Sequence, residues 1–170
     1  MWICNYLRRR ALRRAASKLP TAILPLSLIR SATVLLDASE PSFEGCEGRI
    51  RAYFSRLRIQ VKFIYIYLEK LDKGAAAPVD VTQALLLRDL DWCGRPVSAK
   101  LRSLAGSGTD LFISLCEDSY PAEFLSCSIP ARFKIGRFPI ASFDVVLDGR
   151  QGQTQEEVFI SITELFTKIK

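Results

Sequence analysis

The sequence predicts a three-layer, Rossmann-like α/β domain with a mainly parallel sheet, preceded by a basic N-terminal helix. Two short, mainly apolar runs, residues 32–36 and 111–116, broken only by Thr33 and Ser114, read as strands buried on both faces. Turn residues and then an amphipathic helical pattern follow each run, which is the β–α alternation of a parallel sheet. The third observation is charge. Arg8, Arg9, Arg10, Arg13, Arg14, Lys18 and Arg30 precede the first acid, Asp37, so 17 basic residues face 18 acidic ones in the remainder of a chain whose net charge is +6. The 170 residues therefore divide into a basic helical arm with a Pro-containing connector, 1–30, and a single α/β domain, 31–170, close to the commonest domain size.

Residues 6–19 combine Ala, Leu, Arg and Lys without Gly or Pro, and Pro20 supplies a stop, so a helix is predicted there. Arg14 and Lys18 project close to the side shared by Ile3, Leu7 and Ala11, which leaves the apolar stripe short and interrupted. After the connector 21–30 and the first strand, 39–45 reads as a turn. A helix then carries Ile50, Tyr53, Phe54 and Leu57 on one side and Arg49, Arg51, Arg56 and Arg58 on the other. Val61, Phe63, Tyr65 and Tyr67 mark a second strand, more exposed at its start than at its end. Residues 71–80 form a loop, and periodicity leaves 81–87 open between strand and helix. Turn formers crowd 89–96, and a helix over 97–104 ends at Gly106 and Gly108. Beyond the 111–116 strand, Ser119 caps a helix that has Pro121 in its first turn and ends near Ile129 and Pro130. Residues 131–135 and 143–147 make two short strands. A closing helix over 154–169 opens on the capping-box pair Thr154 and Glu157.

Composition removes several function classes. The chain has no histidine, which excludes Ser-His-Asp and Cys-His catalysis and leaves acid–base work to carboxylates, Lys, Tyr or Cys. Its five cysteines, Cys4, Cys46, Cys93, Cys116 and Cys127, have no CxxC spacing and read as reduced thiols in a reducing compartment such as the cytoplasm, with no metal site. The best apolar run, residues 19–29, is broken by Pro20 and Pro25 and falls short of the roughly 18 residues that span a bilayer, so no transmembrane segment is expected. Neither GxGxxG nor GxxxxGK[ST] occurs, so no nucleotide cofactor is expected.

Ligands of open parallel sheets bind beyond the carboxyl ends of the strands, near the point where strand order reverses. Those ends carry Asp37 and Ser39, and then Glu117, Asp118 and Ser119, which are the candidate ligand-binding residues. The same residue types also serve as ordinary helix starts, stabilised by the helix dipole. Arg8, Arg9, Arg10, Arg13, Arg14 and Lys18 are the candidate anion-binding residues, because cations all round a helix can meet phosphates on several sides. Asp91 and Trp92 beside Gly94 suit either a recognition loop or, more simply, a core tryptophan pinning a turn. Arg132, Lys134 and Arg137 alternate with apolar residues and read as the charged face of a solvated sheet edge or, less simply, as an anion site.

Three segments together resemble an uncharacterised bacterial family of small proteins with a domain of unknown function. They are the basic helix leading to Ala32-Thr33-Val34-Leu35-Leu36-Asp37, the turn Asp89-Leu90-Asp91-Trp92-Cys93-Gly94, and Thr109-Asp110-Leu111-Phe112-Ile113-Ser114 followed by Ala131-Arg132-Phe133-Lys134-Ile135-Gly136. That resemblance implies no activity. The stretch from Asp110 to Leu115, with the helix after it and Arg132 to Gly136, is similar to the acceptor-side half of heptosyltransferase-like glycosyltransferases, which implies a Rossmann-like fold. The sugar-nucleotide domain of those enzymes has no room in this chain, so the likeness implies a degenerate half.

Two functional expectations follow. The first is a non-enzymatic α/β module docked through its basic arm onto a polyanion or acidic partner: RNA, a protein complex or an anionic membrane face. The arm is then dispensable for folding. The second is a small-ligand-binding or degenerate glycosyltransferase-like domain that uses the strand-end carboxylates. Alkylation of the freshly isolated, denatured chain without reductant should modify all five cysteines by mass. A lower number would place the chain in an oxidising compartment.

Overall fold

The two mainly apolar runs form the centre of the sheet. In the structure, a computed structural model that describes residues 2–41, 43–71, 75–147 and 153–169, β1 (Ser31–Asp37) pairs in parallel with β4 (Thr109–Ser114) and aligns Val34 with Ile113. Val34, Leu35, Leu36, Leu111, Phe112 and Ile113 are all fully buried, because helices cover both faces. Successive side chains of a strand face opposite ways. Val34, Leu36, Leu111 and Ile113 therefore pack with α2 (Phe43–Arg56) and α5 (Gln155–Lys168), while Leu35 and Phe112 pack with α3 (Ser98–Ala105) and α4 (Tyr120–Ser128). With β2 (Gln60–Tyr67), β3 (Ala84–Leu86), β5 (Ala131–Gly136) and β6 (Val145–Val146) the order is β3-β2-β1-β4-β5-β6, every pairing parallel. The predicted three-layer α/β architecture is the observed one. Strand order reverses between β1 and β4, so a crevice opens beyond their carboxyl ends.

Polar side chains tie the two ends of the sheet, a half-buried one at the amino end and a buried one at the carboxyl end. At the amino end, Asp110 Oδ2 accepts from the backbone of Arg30 and Ser31 at 2.9 and 3.1 Å, and Oδ1 from Arg132 at 3.2 Å, joining three strands. At the carboxyl end, Gln155 clamps β1: its Oε1 accepts from Asp37 N at 2.8 Å and its Nε2 donates to Asp37 O at 2.9 Å.

The segment left open at 81–87 contributes the three-residue strand β3. Residues 72–74 of the preceding loop lie outside the described residues. The turn expected over 39–45 is shorter, because α2 already begins at Phe43, whose ring is buried in the core. The strand expected over 143–147 keeps only Val145 and Val146. Its partner Gly136 must be a glycine, since a Cβ there would lie 1.9 Å from the Phe143 ring.

The reading of Arg132, Lys134 and Arg137 as a solvated edge is wrong. β5 is an inner strand, flanked by β6 and, lower down, by the connector, where Ala22 N donates to Arg132 O at 2.8 Å. Arg132 is exposed, but Lys134 and Arg137 are 2 % and 1 % exposed. Lys134 is buried for a reason local sequence hides. Pro130 lacks an N–H, so Ser126 O at the end of α4 has no helical donor, and Lys134 Nζ supplies one at 2.6 Å.

The next orphan carbonyl of α4 is met by the N-terminal segment: Ser17 N donates to Cys127 O at 2.9 Å. Just before it, α1 (Trp2–Ala15) lies along α4 with Leu7, Ala11, Leu12 and Ala15 half-buried. The basic helix is thus fastened to the domain.

Two outcomes follow from these contacts. Ile113→Asp should abolish the cooperative unfolding transition in circular dichroism, since an unpaired buried charge costs several kcal/mol or more against a total stability of roughly 5–15 kcal/mol. Burial pulls the Lys134 ammonium from its ordinary 10.5 down to about 8, against the opposing pull of Cys127 and Asp144. Between those values the unfolded chain holds a proton the folded chain lacks, so this lysine adds stability as pH rises. Denaturant midpoints should therefore shift in favour of wild type over Lys134→Met on going from about pH 7 to about pH 10; a constant difference would contradict the assignment.

Candidate functional site

The turn between β3 and α3 is organised by one carboxylate. Asp91 Oδ1 accepts from the backbone of Cys93 and Arg95, each at 2.9 Å, while Oδ2 takes Arg95 Nε and Nη2, each at 2.6 Å. Burial opposes ionisation of Asp91, but the hydrogen bonds from Arg95 and Cys93 outweigh it and hold the carboxyl below its usual range. Gly94 turns the chain at φ +76°, a conformation that favours glycine.

Against this turn sits the inward side of α1. Arg8 Nε donates to Cys93 O at 2.7 Å, and its guanidinium lies 4.7 Å from the centre of the Tyr120 ring, whose hydroxyl donates back to Arg8 O at 3.3 Å. Cys4, one turn earlier, contacts the Cys93 thiol; burial first, then this contact, pushes Cys93 up to about 11. Arg8 thus separates from the other five candidate anion-binding residues. Arg9, Arg10, Arg13, Arg14 and Lys18 are exposed, and among the described residues none forms an ion pair. One flank of α1 borders a cleft of about 410 Å³ in which Arg10 and Arg14 face Arg95 and Ser98 over an apolar floor that includes Leu101 and Phe124.

The strand-end residues divide differently. Asp37, Ser39 and Glu117 line one cavity of about 350 Å³ at the reversal point, together with Glu40, Gln153 and Thr154. Asp118 is exposed outside it, and Ser119 caps α4 by accepting from Ala122 N. Asp37 Oδ1 is engaged by Ser39 N at 2.8 Å, and Glu40 Oε1 by Gln155 N at 2.9 Å. The buried Arg137 supports this cavity from behind. It donates to Leu115 O at 3.4 Å and to Gln153 O, and stands 3.7 Å from Glu117, while its Nε has no partner among the described residues. Cys116 offers no nucleophile here, because burial, with Asp37 and Glu40 adding to it, holds its thiol well above the ordinary range.

Trp92 is 75 % exposed, so it is not the core residue pinning a turn that the sequence favoured; Asp91 performs that task with its carboxylate. Arg95 and Glu40 are not among the candidate site residues, and Arg137 reads in the sequence mainly as a sheet-edge charge. The Asp91–Arg95 spacing around a glycine is the available signal for the first and adjacency to Ser39 for the second, whereas Arg137 depends on packing between distant segments.

No family model, curated protein or solved structure matches the chain. Function has to be argued from the geometry.

Arg8→Ala removes a charge-assisted hydrogen bond and a ring contact, together worth about 1–3 kcal/mol. Amide hydrogen exchange across α1 should accelerate accordingly while β1 and β4 stay protected. Unchanged exchange in α1 would show that Arg8 does not fasten it.

Proposed function

We propose that the chain is a non-enzymatic α/β module that docks through the outward face of α1 onto a polyanion, with single-stranded RNA the best-supported partner and a reducing, cytoplasmic setting the one that suits its thiols. One observation carries the reading. Five exposed cations sit on or just after a helix that contains no acid, and a sixth, Arg8, holds that helix in place. Like charges three or four residues apart, such as Arg9 with Arg13 and Arg10 with Arg14, destabilise a helix by a few tenths of a kcal/mol per pair, a strain that phosphates would relieve. Because α1 is already folded and seated, binding would not have to order it.

Surface helices that enter a bilayer need a free apolar face. The apolar side of α1 is turned against α4, and among the described residues its exposed large apolar side chains are Ile3 and Tyr6, both near its start. RNA is favoured over an acidic protein by Trp92, an exposed indole in the turn that Arg8 grips and a platform of the kind on which unpaired bases stack.

A second reading is favoured by the convergence of Asp37, Ser39 and Glu117 in one cavity. Its acidic lining suits a neutral, hydroxyl-rich ligand and fits a degenerate glycosyltransferase-like half. A sugar that perturbs the amides of residues 37–40 and 115–117 in NMR would select this reading.

Binding of a short oligouridylate by the full chain should weaken steeply with salt. Five cations on a single strand predict a slope of log K against log salt near −3.5. Replacing Arg9, Arg10, Arg13 and Arg14 together by Gln should remove most of that slope without lowering the thermal transition; a flat dependence in the wild type would defeat the reading.

A further inference from the structure

We infer that the cleft between α1 and the start of α3 binds one phosphate group together with the apolar or aromatic body to which it is esterified. The inference deepens the docking reading and rests on it for the source of the phosphate, a nucleotide unit of RNA rather than a free phosphorylated small molecule.

The cleft is built unevenly along α1. Arg10 and Arg14, one turn apart, point to the same flank, whereas Arg9 and Arg13 lie outside it. Neither Arg10 nor Arg14 forms an ion pair among the described residues. Across from them Arg95 is held in a fixed plane, because Asp91 occupies its Nε and Nη2, which leaves Nη1 for another acceptor. Guanidinium groups match the oxygens of a phosphate in bidentate geometry, and one that is already oriented loses less freedom on binding.

The far wall is the beginning of α3. Ser98 lies there, and the residue before it, Val97, has no side-chain acceptor for the first turn, which also lacks an acid. The positive end of that helix therefore adds to the field of the three arginines. Beneath them the floor is apolar, with Leu7, Leu101 and Phe124 contributing. A bare anion would leave this floor wet. A phosphate ester would cover it, and the volume of about 410 Å³ lies in the range of small-ligand clefts.

The test uses the full-length chain and two double variants, Arg10→Gln/Arg14→Gln and Arg9→Gln/Arg13→Gln, whose exposed side chains make no contact the fold needs. Calorimetry with phenyl phosphate, inorganic phosphate and a short oligouridylate is the readout. Phenyl phosphate should bind one to one, more tightly than inorganic phosphate, and compete with the oligouridylate. The Arg10/Arg14 variant should bind phenyl phosphate about tenfold or more weakly, and the Arg9/Arg13 variant within about twofold of wild type. Equal losses in the two variants, or no saturable binding of phenyl phosphate, would overturn the proposal. If phenyl phosphate fails while the oligouridylate binds with a steep salt dependence, the cleft is refuted and the docking reading survives. If phenyl phosphate binds and the oligouridylate does not, the cleft stands and RNA is refuted as its source.

Discussion

Burial of β1 and β4 on both faces is the constraint from which the remaining arrangement follows. A strand that is apolar all round has to be covered twice, and the chain does this with α2 and α5 on one side and α3 and α4 on the other. Covering the sheet in this way leaves the outer side of α4 free, and α1 occupies it. The end of α4 then acts as a junction. Pro130 stops the helix, and the orphan carbonyls of Ser126 and Cys127 are met by Lys134 from the sheet and Ser17 from the N-terminal segment. Fold and basic helix are joined at this point by hydrogen bonds that few sequence patterns advertise.

Charge and packing divide the labour on α1. Its inward residues, Leu7, Ala11, Leu12 and Ala15, are small or aliphatic and meet the domain, and Arg8 alone among its arginines turns inward. The other cations face water, and among the described residues none is ion-paired, although Arg9 shares a surface cavity with Glu123. Arg13 and Arg14 in the last turn complement the negative end of the helix, but the like-charge pairs four residues apart oppose one another, so the cluster as a whole is best understood through what it meets from outside. Arg95 and Ser98 extend the same cationic surface from the body, which is why the cleft belongs to the fold as well as to the helix.

Elements with local signals were legible in the sequence. The Ser119 cap with Pro121 and the Thr154–Glu157 capping box appear where expected, and the strand expected over 111–116 appears two residues earlier, at Thr109–Ser114, since each depends on residues within a few positions of one another. The misreadings share the opposite origin. Lys134 is buried because α4 covers its face of the sheet and leaves the Ser126 carbonyl for it to meet, and Trp92 is exposed because a carboxylate already organises its turn. Arg8 is separated by 85 residues from Cys93 and by 112 from Tyr120, so no window along the chain could distinguish it from Arg9 or Arg10. At the strand ends, Asp37, Ser39 and Glu117 converge because β1 and β4 are neighbours, a placement the βα alternation implied; Glu40 comes with Ser39 in the same turn, whereas Arg137 joins them only from the distant segment after β5.

The most direct test of the account is an amide hydrogen-exchange footprint of the full chain with and without a saturating short oligouridylate. The account predicts added protection over residues 5–18 and over the turn and helix start at 91–98, with the strand ends unchanged. Protection confined to residues 37–40 and 115–118, or none anywhere, would contradict it and return the functional weight to the acidic cavity at the carboxyl ends of β1 and β4.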